Sequence, residues 1–189
     1  MSLNLSLLRA HPAHIDTDAV IAAVFEDTGL SPAAQQLDEA CGGRISALLK
    51  SGDVSGKAGR CALLLALDGI QAPRVLLAGV GEANKVDTSR YLKTAAESIR
   101  ALKGGPVARI HSTLPEIDVT GRDAGWKIRQ AALAALHTSY TYTTTKKSAK
   151  TSPLAALSLS GDEACGDELR IAEGIADGVT LARELGNLP

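Results

Sequence analysis

Aromatic side chains make up only 3% of this 189-residue sequence: one tryptophan, one phenylalanine and three tyrosines. Its core therefore has to be closed by Ala, Leu, Val and Ile, a composition that suits helices packed on a sheet. The scarcity of rings disfavours recognition of single-stranded nucleic acid, which stacks bases on aromatic side chains. Cysteine is equally thin. Cys41, Cys61 and Cys165 are odd in number and far apart, and no Cys-x-x-Cys pair points to zinc or redox chemistry. They read as free thiols in a reducing cytosol. No apolar run approaches the length that spans a bilayer, and residues 1–9 alternate apolar and polar instead of forming a signal-peptide core. The expectation is a soluble cytoplasmic protein. Two catalytic signatures are missing as well, the Gly-x-Ser-x-Gly elbow and the His-Glu-x-x-His helix.

What is present is ordinary globular material, 45% apolar and 22% charged. A chain this long buries roughly 70% of its unfolded surface and needs neither metal nor disulfide to fold. Net charge is −1, but it is unevenly spread. Residues 1–84 carry 6 basic and 9 acidic side chains, residues 85–150 carry 12 and 5, and residues 151–189 carry 2 and 7. The +7 middle is either a nucleic-acid footprint or a field neutralised in the fold by the acidic ends. In the first reading, Arg122, Lys127 and Arg129 on one predicted helix and Lys146, Lys147 and Lys150 in one loop grip the phosphates of double-stranded DNA. In the second they form a solvated charged surface.

Periodicity predicts alternating strands and helices. Leu3-Asn4-Leu5-Ser6-Leu7 alternates as a half-buried strand, and 19–25 is an apolar run suited to a strand buried on both faces. Ser31-Pro32 starts a helix, which Gly42-Gly43 interrupts at about 1 kcal/mol per glycine. Further strands are expected at 61–67, 74–80, 107–111 and 154–159, the first two separated by an Asp68-Gly69 turn. Helices are expected after Asp87, over 121–139 and from about 162 to 188, and residues 141–152 read as a loop. The last helix is predicted to place Ala164, Ile171, Ile175, Val179, Ala182 and Leu185 on one stripe. The fold class is α/β, with a largely parallel or mixed central sheet sandwiched by helices.

Candidate binding motifs are weak. In Gly52-Asp53-Val54-Ser55-Gly56-Lys57-Ala58 the glycines stand one residue too close for a P-loop, and Ala58 has no hydroxyl for magnesium. Gly79-Val80-Gly81 follows a strand but lacks the third glycine of a dinucleotide loop. His11 and His14 flank Pro12 in a loop without the i, i+4 spacing of helical metal ligands. Asp16-Thr17-Asp18-Ala19 is an isolated acidic loop whose side chains can turn or cap backbone.

Taken in order, several segments resemble one family. Gly52 to Gly59, with Lys57, is similar to a Gly-Asp-x-x-Gly-Lys-x-Gly stretch of the leucyl aminopeptidases, and Arg74-Val75-Leu76-Leu77-Ala78-Gly79-Val80-Gly81-Glu82 resembles their next strand and glycine turn. Trp126-Lys127-Ile128-Arg129-Gln130-Ala131 resembles a helix of bacterial members that also bind DNA, and Tyr140 to Lys147, with Tyr142, their Tyr-x-Phe/Tyr…Lys segment. Gly178 to Pro189, ending Gly186-Asn187-Leu188-Pro189, resembles the linking helix and Asn-x-Pro that introduce the catalytic domain.

The resemblance implies a macrodomain-like three-layer α/β/α sandwich over 1–160, then a linking helix at 161–189 leading to a C-terminal catalytic domain beyond this sequence. It implies a parent exopeptidase that removes N-terminal residues, preferably leucine, using two divalent metals, zinc or manganese. The parent is a homohexamer with this domain at its corners. The family's metal ligands lie downstream of Pro189, so no catalytic or metal-binding residue is carried onto this chain and no cofactor is expected in it.

Overall fold

The apolar run at 19–25 becomes the strand around which the other elements are arranged. A computed structural model describes residues 3–140 and 153–186. Its elements are β1 (Asn4–Leu7), β2 (Ala19–Phe25), β3 (Gly29–Leu30), α1 (Pro32–Ala40), α2 (Arg44–Ser51), β4 (Cys61–Leu65), β5 (Arg74–Gly81), α3 (Thr88–Lys103), β6 (Arg109–Ser112), α4 (Ala124–Ser139), β7 (Ala156–Leu159) and α5 (Gly166–Gly186). One sheet runs β1-β7-β6-β2-β5-β4, with β3 paired to β2 off that path. All neighbours along the sheet are parallel except β4 on β5, and β3 is also antiparallel.

Strand periodicity sends alternate residues of β2 into two different cores. Ala19, Ile21 and Ala23 join Leu76, Ala78 and Val80 of β5 beneath residues of α3, α4 and α5. Val20, Ala22 and Val24 join Val75 and Leu77 against α1 and α2. Each fully buried Val, Leu or Ile contributes about 1.5–3 kcal/mol relative to exposure. The result is the expected α/β sandwich with a mixed, mostly parallel sheet.

Local chemistry sets the helix ends. Ser31 caps α1 by accepting from the Ala34 amide at 3.3 Å, and Asp87 caps α3 by accepting from Arg90 N at 2.8 Å. The predicted break at Gly42-Gly43 is real: both glycines have positive φ, 67° and 82°, and separate α1 from α2. Helix α4 begins at Ala124 rather than 121, because Asp123 accepts from Trp126 N at 2.7 Å and fixes the first turn. The last helix is preceded by a short 3₁₀ turn, Glu163–Cys165, capped by Asp162.

The apolar stripe of α5 faces outward. The residues packed inward are Leu169, Ala172 and Ala176, while Ile171, Ile175 and Leu185 are 43%, 44% and 62% exposed. The small face of α5 lies against α4, whose own contribution to that core includes Ala131, Ala132 and Ala135. Small residues on both helices let the backbones approach, and the larger isoleucines are turned outward.

Beyond α2 the chain crosses the ends of β2 and β5 at backbone contact. A Cβ on Gly56 would stand 2.2 Å from the Phe25 carbonyl carbon, and one on Gly79 would stand 2.3 Å from Lys57 O. The crossing is tied by Gly79 N to Arg60 O at 2.7 Å, Gly81 N to Gly56 O at 2.8 Å and Gly59 N to Gly79 O at 3.0 Å. Gly56→Ala is therefore expected to destabilise the domain by about 3 kcal/mol or more, because backbone has to move. Gly42→Ala, in open space, costs only its left-handed backbone strain of roughly 1–2 kcal/mol. Urea unfolding of the two variants measures the difference.

Candidate functional site

The glycine segment that superficially resembles a phosphate loop is a structural crossing. The amides of Gly59, Gly79 and Gly81 already donate to backbone carbonyls and are not offered to an anion. The acidic loop before β2 is likewise committed. Asp18 Oδ2 accepts from the amides of Ala108 and Arg109 at 2.8 and 2.9 Å, fixing the start of β6. Asp16 receives both guanidinium nitrogens of Arg109, at 3.0 and 3.1 Å. That hydrogen bond and the guanidinium's charge hold the Asp16 carboxyl below its usual range. His11 and His14 stack on each other with ring centroids 4.9 Å apart. Among the described residues no three of His, Cys, Asp or Glu come together as a metal site would require.

Of the six basic residues singled out for DNA, the three that are described are not presented as one surface. Arg122, Lys127 and Arg129 share the region of α4 but make different contacts. Arg122 is exposed, with its guanidinium carbon 4.8 Å from the centroid of the Trp126 ring and its Nε donating to Thr88 Oγ1 at 3.1 Å. Lys127 is buried, its ammonium donating to the Ile117 carbonyl at 2.8 Å. Arg129 is paired with Glu168 of α5 at 3.0 Å. Lys146, Lys147 and Lys150 lie outside the described residues.

Sequence reading gave no role to His111, which the fold makes a fully buried link between β6 and β7. Its Nδ1 lies 2.8 Å from Ser158 Oγ and its Nε2 lies 3.1 Å from Ser160 Oγ. Burial pushes the imidazole down from 6.5 to about 4. Only the pairing of two distant strands brings those serines to it. An unfolded chain takes up this proton near pH 6.5, whereas the folded chain refuses it until about pH 4. Stability is thus lost as pH falls through that window, by about 3 kcal/mol for a shift of this size. Thermal unfolding between pH 7 and 4 should show the loss, with a shallower slope for His111→Asn.

Comparisons with known proteins agree with this architecture. The family model described as "Cytosol aminopeptidase family, N-terminal domain" matches residues 21–149. A "Probable cytosol aminopeptidase" of Xylella fastidiosa (strain M12) is 45% identical over 193 residues, covering 100% of this chain and 39% of that protein. The protein of the same description from Xanthomonas campestris pv. campestris (strain B100) is 44% identical, covering 100% of this chain and 38% of its own length. The chain thus spans about two-fifths of the curated relatives it matches. Among solved structures, a mutant of tomato leucine aminopeptidase superposes with a TM-score of 0.78 at 23% identity, over 100% of this chain and 39% of that one. The macrodomain of Mycobacterium tuberculosis DarG superposes at 0.59 with 14% identity, over 85% of this chain and 100% of that one. These two likenesses concern the fold.

Proposed function

Because the chain belongs to the cytosol aminopeptidase family, as its N-terminal domain, we propose that it is the non-catalytic part of a peptidase that removes N-terminal residues, preferably leucine, from peptides. In this reading its work is assembly. It joins a C-terminal catalytic domain through α5 as the linking helix and supports a cytoplasmic homohexamer. Two divalent metals, zinc or manganese, would activate water and polarise the scissile carbonyl in that other domain. The described residues offer no ligand set for them.

The observation that carries this reading is the outward face of α5. Ile171, Ile175, Leu181 and Leu185 are 43%, 44%, 59% and 62% exposed along one helix, which supports a covering surface beyond the described residues. The longer relatives supply a natural source for that cover, since this chain accounts for 39% of their length. The test is the intact mass of the native protein in its own cells, detected through this domain. A mass well above 19.5 kDa is expected, and a native mass of 19.5 kDa sinks the proposal. Purified alone, the 189-residue chain is expected to leave a leucine amide substrate intact with zinc or manganese added. Metal-dependent hydrolysis would count against the division of labour. Ile175→Asp in the same chain should change stability by no more than about 0.5 kcal/mol, as befits an exposed site.

A second reading, binding of double-stranded DNA through the basic 85–150 segment, is favoured by Arg90 and Lys93 on α3, for which no carboxylate partner is found among the described residues. Phosphate contacts of this kind release counterions, so affinity must fall steeply with salt. A duplex titration between low and physiological salt is expected to show that slope. Affinity that does not respond to salt rules this reading out.

A further inference from the structure

Between α3 and α4 runs a groove of about 610 Å³, reached by Arg183 from α5. Leu92 and Ala96 of α3 and Leu133 and Ala134 of α4 supply apolar lining. Arg100, Lys103, His137 and Arg183 supply the polar part. The charge there is crowded. Desolvation first, and the neighbouring Arg183 charge second, hold the His137 imidazole below its ordinary value. His137 Nε2 is buried and finds no hydrogen-bond partner among the described residues. Of the cations, Arg100 is paired with Glu97 at 2.6 Å, Lys103 donates to the Thr138 carbonyl at 2.5 Å, and Arg183 lies 5.3 Å from the centroid of the Tyr140 ring.

We propose that this groove is a binding site for a small amphipathic anion, a phosphate or carboxylate head carried on a short apolar body. The head would lie against Arg183 and His137, and the body along Leu92, Leu133 and Ala134. Its volume falls in the range of small-molecule pockets, roughly 300–1,000 Å³, and combines an apolar lining with a few polar groups as such pockets do. Charge complementarity selects the sign. A cation would meet the Arg183 charge beside His137, whereas an anionic head complements it.

Calorimetric titration of the 189-residue protein with hexyl phosphate tests the assignment, with inorganic phosphate and hexyl glucoside as controls. Hexyl phosphate is expected to bind about tenfold or more tightly than either control, since both halves of the ligand are used. Arg183→Gln should weaken it by about tenfold, and Ala96→Glu, which puts a carboxylate in the groove, should abolish it. Circular dichroism establishes that both variants are folded. Equal binding of inorganic phosphate, or full affinity in both folded variants, overturns the site. Displacement of hexyl phosphate by a short DNA duplex would also overturn it, and would assign these cations to nucleic acid.

Discussion

A strand with hydrogen-bonding partners on both edges and helices against both faces has no side left for water, and β2 is such a strand. Ala19 to Val24 are all essentially inaccessible. Its parallel partners, β6 on one edge and β5 on the other, cannot be joined to it or to each other by a tight turn. Helix α3 therefore connects β5 to β6, which lie on opposite sides of β2. Helices α1 and α2 occupy the connection from β2 toward β4 and β5. With both faces claimed, the ends of β2 and β5 are covered by backbone itself, and only glycine at 56 and 79 leaves the room. The motif that looks chemical in one dimension meets a packing requirement in three.

The same economy governs charge. Much of the basic middle of the chain is engaged internally: Lys127 on a carbonyl inside the domain, Arg129 on Glu168, and Arg109 on Asp16. The pair between Arg129 and Glu168 joins the basic segment to the acidic final helix. The Arg109–Asp16 pair, which is exposed, adds little stability by itself. The consequence of these contacts is distribution, because part of the basic middle is tied down within the fold while Arg183 of α5 reaches the groove beside α3 and α4.

Likeness to macrodomains at 14% identity speaks to how the chain is folded, and a fold of this kind hosts unrelated functions. The site has to be argued from its own groups. At the ends of β2 and β5, the amides of Gly59, Gly79 and Gly81 are spent on the backbone crossing. The features left over are surfaces: the apolar outer face of α5 and the cationic groove beside it.

Features that are local or strictly periodic can be read from the residues alone. The two-faced run of β2, the Ser31-Pro32 and Asp87 helix starts and the Gly42-Gly43 break are legible because each depends on residues within a few positions. So is the family, through short motifs kept in order. The inward face of α5 was not legible, since the helix carries two apolar faces and the choice between them belongs to α4, whose alanines accept Ala172 and Ala176. The burial of Lys127 was hidden for the same reason: a lysine on a helix reads as solvated until a carbonyl from another segment meets its ammonium. His111 between two serines, and Arg183 beside His137, join residues roughly fifty positions apart. Only tertiary structure decides such meetings, because sequence periodicity fixes a side chain's direction relative to its own element and leaves open what lies opposite.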